Sequence, residues 1–72
     1  MTSEDRTAPE WIAAFAASLG VDPPDDSTVD LLLELAGVAA HASARTAAPI
    51  ACWLVGRAGL DPTDALRQAQ GT

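Results

Sequence analysis

The residues able to do chemistry in this chain gather between His41 and Pro49, where the single histidine and Arg45 stand between two apolar helical runs. An arginine fork pairs with a carboxylate or another anion through two parallel hydrogen bonds, and a neighbouring imidazole adds a donor. If the preceding helix persists through its end, His41 and Arg45 are four residues apart and project from one face, with Glu34 two turns earlier on the same stripe. The same two residue types also arise near helix C-termini for a structural reason, because cations there complement the dipole and cap free carbonyls. Both readings stand at this level: a partner- or anion-binding corner at His41, Arg45 and Pro49, or a cap.

Other reactive groups give less. Cys52 has no second cysteine to pair with and lies inside the most apolar run, which reads as a small buried hydrophobe. One histidine among scattered carboxylates lacks the ligand spacing of a zinc or calcium site, so no metal and no cofactor is expected. Ser43, His41 and an aspartate lack the setting of a nucleophile elbow or oxyanion hole. Gly56 and Gly59 follow no strand and precede no lysine, unlike a phosphate loop. The chain is therefore expected not to be an enzyme. Asp22, Asp25, Asp26 and Asp30 read as solvated turns and caps, or as a contact for a basic partner surface.

Ten acidic residues stand against four arginines, with no lysine, for a formal charge of −6. Phosphate backbones and anionic membranes demand the opposite sign, so neither nucleic acid nor a membrane surface is an expected partner. The longest apolar run, Ala47 to Val55, is far below the roughly 20 residues of a spanning helix. The polar start, Met1 to Arg6, lacks the apolar core of a signal peptide, and a cytoplasmic location is the expectation.

The elements that must position the corner are helical. Residues 1–6 read as a disordered leader and 7–70 as a single helical domain. Thr7-Ala8-Pro9-Glu10 is a capping box, after which Trp11, Ile12, Phe15 and Leu19 recur on one face until Gly20, predicting a helix over Ala8 to Leu19. Val21 to Asp26 is a turn-rich connector. Asp26 or Ser27 caps a second helix from about Thr28 to Ser43, with Gly37 inside it, a cost that close packing on another backbone would offset. Thr46 caps a third helix with Pro49 in its first turn. That helix is apolar all round, which predicts the central element over about 49–57. Asp61 and Pro62 start a short fourth helix to about Gln70, docking through Ala65 and Leu66. The fold class is all-α, a compact bundle of three main helices plus a short fourth. Trp11, Phe15 and Trp53 are the expected large anchors of a core rich in alanine, with Trp11 the tryptophan more exposed at an interface.

The order Glu10-Trp11-Ile12, Leu19-Gly20-Val21-Asp22, Leu32-Leu33-x-Leu35-Ala36, Val38-Ala39-x-His41, Arg45-x-x-Ala48-Pro49 and Leu54-Val55-Gly56 resembles a small actinobacterial domain of unknown function. That domain occurs alone or at the C-terminus of proteins resembling molybdenum cofactor guanylyltransferases, of molybdopterin-guanine dinucleotide biosynthesis. The resemblance covers about residues 10 to 59, and the family's end is longer and more variable, so Asp61 to Thr72 are expected to be particular to this chain. It implies a non-enzymatic auxiliary or adaptor role in molybdenum cofactor biosynthesis or molybdoenzyme assembly, with a cofactor-maturation protein as partner. The nucleotide-transfer chemistry would belong to the separate nucleotidyltransferase domain, whose glycine-rich loop and metal-binding aspartates this chain lacks. A small anionic-ligand module and a homodimerising structural module are the alternatives.

Overall fold

The structure is a computed structural model that describes residues 7–72, so the expected leader at 1–6 lies outside the described residues. It is all-helical there, with α1 at Ala8–Leu19, α2 at Asp26–Ala42, α3 at Ala47–Ala58 and α4 at Pro62–Gln70.

Local chemistry sets most of these boundaries. The Thr7 N–H donates to Glu10 Oε1 at 2.8 Å while the Glu10 N–H donates to Thr7 Oγ1 at 3.3 Å, closing the capping box. The Thr7 N–H, and then its hydroxyl, hold the Glu10 carboxyl below its ordinary value. α1 and α3 both end on a left-handed glycine, Gly20 at φ 76° and Gly59 at φ 66°, a conformation that a Cβ would strain. In each case the next residue donates back across the last turn, Val21 to the Ala16 carbonyl and Leu60 to the Val55 carbonyl, the Schellman arrangement. At α4, Asp61 Oδ1 accepts from the Thr63 N–H at 2.8 Å and Pro62 opens the helix.

The cap of α2 is Asp25, not Asp26 or Ser27. Asp25 has the extended backbone that a cap requires, φ −75° and ψ 170°, and its Oδ1 accepts from the Thr28 N–H at 2.9 Å. Asp26 is already helical, and the Ser27 hydroxyl supports the cap by donating to Asp25 Oδ1 at 3.2 Å. Thr28, through its hydroxyl and its N–H, and then Ser27 hold the Asp25 carboxyl below its ordinary value.

α2 packs against both α3 and α4. Its residues Leu31, Leu35 and Val38 fall on one face by three- and four-residue spacing. Leu35 is 2% exposed and lies with Ala65 and Leu66 of α4, surrounded by Leu31, Val38, Ala51, Cys52, Val55 and Ala69. Cys52 is half-buried here, packed as a small apolar group. The apolar helix expected over about 49–57 does not hold the centre. α3 has no buried residue and lends only the face with Ala51, Cys52 and Val55, because a domain this small has too few neighbours to surround an all-apolar helix. α2 takes that place.

The aromatic residues are not the core anchors. Trp11 is 46% exposed, Phe15 49% and Trp53 62%. Trp11 and Phe15 stack on each other with centroids 5.1 Å apart, one turn apart on α1. α1 turns its Ile12 and Ala16 edge inward, and Ala16 is its one buried residue. The Trp11, Phe15 and Leu19 stripe stays in solvent.

Gly37 also departs from expectation, since a Cβ built on it meets nothing within 4 Å. No close backbone approach offsets its helical cost. Gly37→Ala is therefore expected to stabilise the domain by about 0.5–1 kcal/mol, raising the melting temperature by roughly 2–8 °C in a circular dichroism melt. A lower melting temperature would show that another surface closes on this position.

Candidate functional site

α2 stops at Ala42, and Ser43 leaves the helix with φ −139° and ψ −95° while its N–H still reaches the Ala39 carbonyl at 3.1 Å. The chain then turns at once. The Ala47 N–H donates to the Ala44 carbonyl at 2.8 Å and the Ala48 N–H to the Arg45 carbonyl at 3.2 Å, so two of the free donors of α3 are taken by the turn itself. Thr46 sits in the helical region at φ −68° and ψ −15° and makes no side-chain cap, contrary to expectation. A threonine caps from extended backbone, which this turn does not provide. Pro49, the third helical residue, lacks an N–H where none is needed.

This break separates the residues that the sequence placed together. His41 remains on the outward face of α2, on the stripe of Asp30 and Glu34 by helical spacing. Arg45 belongs instead to the turn that begins α3, so the four-residue register between His41 and Arg45 is lost at Ser43. His41, Arg45 and Pro49 are all exposed. Among the described residues the one ion pair is Arg67 with Asp64 at 3.3 Å, both well exposed and of little consequence for stability. It leaves Arg45 and His41 without a carboxylate partner among those residues.

Beside the corner lies an apolar groove of about 500 Å³, walled by Ala39, Ala42 and Ser43 of the α2 end and by Ala47, Ile50 and Leu54 of α3. It shares Ala39, Ala42, Ser43, Ala51 and Leu54 with a longer groove of about 570 Å³ that runs between α2, α3 and α4 toward Leu60 and Thr72. Of the turn that joins the two helices, Ser43 and Thr46 line the groove, whereas His41, Arg45 and Pro49 do not. Among the described residues no three His, Cys, Asp or Glu side chains gather as metal ligands would. Of the acidic cluster, Asp25 is a cap, while Asp22, Asp26 and Asp30 are exposed.

Residue-type reasoning missed the groove and the exposed α3 face. Ile50 and Leu54 are more than half exposed, as is Trp53. A usable signal existed: an all-apolar helix in so short a chain cannot be enclosed by its own neighbours.

A family model, described as a domain of unknown function (DUF6457), matches residues 3–71. The chain belongs to the DUF6457 family. The DUF6457 match is wider than the 10–59 stretch that carries the sequence resemblance, and it includes all of α4. Residues 61–71 are therefore part of the DUF6457 domain and not an addition particular to this chain. No curated protein and no solved structure matches. Among the described residues of this DUF6457 domain, no helix is long and apolar enough to cross a membrane.

Proposed function

We propose that this domain is a non-enzymatic adaptor that receives a protein partner at the corner formed by His41, Arg45 and Pro49 and in the groove beside it. The observation that carries the reading is the exposed Arg45, without an ion partner among the described residues, next in the chain to Thr46, which lines an apolar groove. Interfaces are built in this way, with apolar anchors in a trough and a polar, charged rim that sets register. The chemistry fits a partner segment that lays a helix's apolar face along Ala42, Ala47 and Leu54 and brings a carboxylate to Arg45. The net charge of −6 argues against nucleic acid in that role.

The finer part of the proposal is that the partner belongs to molybdenum cofactor (molybdopterin-guanine dinucleotide) biosynthesis or molybdoenzyme assembly, in the cytoplasm. Its support is the resemblance borne by His41, Arg45, Ala48-Pro49 and Leu54-Val55-Gly56.

The test is co-purification and calorimetric titration with a guanylyltransferase-like protein of that pathway. Arg45→Ala is expected to weaken the complex about tenfold or more while leaving the melting temperature unchanged, since Arg45 is exposed. A complex indifferent to Arg45→Ala, or no complex, sinks the corresponding part of the proposal. A thermal shift with inorganic phosphate that Arg45→Ala abolishes would favour the anion-binding alternative.

A further inference from the structure

Two apolar stripes remain uncovered, and they differ in charge. On α1, Trp11, Phe15 and Leu19 lie at four-residue spacing and are about half exposed or more. On α3, Ile50 and Trp53 are three residues apart, 60% and 62% exposed, with the exposed Arg57 continuing the same line. α1 carries Glu10 as its one charged residue and is followed by the exposed Asp22, whereas α3 carries Arg57 and no acidic residue at all.

We infer that this chain forms a symmetric homodimer in which the Trp11, Phe15 and Leu19 stripe of each copy covers the Ile50 and Trp53 stripe of the other. The two stripes match in length, about 12 Å on α1 and about 10 Å from Ile50 to Arg57, at 1.5 Å per helical residue. Charge selects this pairing over α3 against α3. An antiparallel or parallel α1 brings an acid, Asp22 or Glu10, toward Arg57 in either direction, while two α3 helices would offer arginine alone. Within one chain the two stripes do not cover each other, because α1 makes no extensive contact with the other helices. Two equivalent contacts related by a two-fold axis close the assembly and leave no unmatched stripe to propagate fibres.

The area is sufficient. Each of the five side chains exposes on the order of 100 Å², so a protomer brings about 500 Å² of apolar surface. A standard interface takes about 800 Å² from each partner, a little over half of it apolar. The contact shares Ile50 with the groove wall but leaves Arg45, Ala42 and Ala47 outside it, so Arg45→Ala, expected to leave the dimer unchanged, keeps the two readings apart.

The experiment is sedimentation equilibrium of the full chain from roughly 10 µM to 1 mM, with intrinsic tryptophan emission recorded alongside. The expected result is a mass of twice 7.4 kDa and a blue shift of emission with concentration, since both tryptophans enter the contact. Trp53→Ala, Phe15→Ala and Arg57→Glu are each expected to raise the dissociation constant about tenfold or more with helical content retained, as all three residues are exposed. Single-chain mass throughout the range overturns the inference. So does a dimer unaffected by these changes, or one lost with Trp53→Ala but untouched by Phe15→Ala, which would mean that α3 meets some surface other than α1.

Discussion

A chain ending at Leu60 is expected to be largely unfolded at room temperature, with helical ellipticity well below that of the full chain and no cooperative melt. α4 supplies Ala65 and Leu66, two of the three residues of the buried cluster, and Ala69 beside them. Without it Leu35, the most buried side chain among the described residues, loses its α4 neighbours. The one extensive contact left would be that of α2 with α3, which encloses no residue of α3. Isolated helices of 12 to 17 residues are marginal in water, so local propensity does not replace the lost packing. Circular dichroism of the two chains checks this directly. A truncated chain that melts cooperatively near the full-length midpoint would show that α4 is dispensable.

Leu35→Ala is expected to be the most damaging single substitution. Leu35 is 2% exposed at the junction of α2 with α3 and α4. Truncating a leucine at such a site costs about 2–5 kcal/mol through lost transfer and the cavity left behind. A core in this size class rarely supplies more than about 3–5 kcal/mol in all, so the variant should be mostly unfolded or close to it. The control lies two residues away. Leu33 is 65% exposed, and Leu33→Ala should stay within about 0.5 kcal/mol of the parent. Urea titrations of the three proteins separate these outcomes. Equal losses at both positions would mean that a further surface buries Leu33.

The second prediction turns on a residue whose importance the sequence did not rank. Leu33 and Leu35 are the same residue type on the same helix, and nothing local distinguishes them. Their difference arises because α3 and α4 approach α2 from the Leu31, Leu35 and Val38 side. The same holds for Trp53 and Cys52. Residue size favoured the tryptophan as an anchor, yet α3 meets α2 through the small Ala51 and Cys52 and leaves the indole outside. Small side chains allow helices close approach, and a bulky one at that contact would hold them apart.

The corner shows a different limit. Helical periodicity puts His41 and Arg45 on one face only if the helix continues, and the continuation is settled at Ser43 by a backbone conformation with no side-chain signature. The turn hydrogen bonds from Ala47 and Ala48 then assign Arg45 to the start of α3. Arginine's role changes from complementing a helix end to standing exposed in the turn between α2 and α3.

What the sequence determined by itself are the features whose physics is local: four helices, the Thr7–Glu10 capping box, the Asp61–Pro62 start and the left-handed stop at Gly20. Each depends on groups within a few residues of one another, so spacing alone specifies it. Tertiary structure decided which apolar face of each helix is covered, that α2 is the central helix, and that Arg45 leaves the stripe of His41. Those outcomes depend on how faces of similar hydrophobicity compete for too few partners. In a chain of 72 residues most of them cannot all be buried, and the faces left over are the ones available to another molecule.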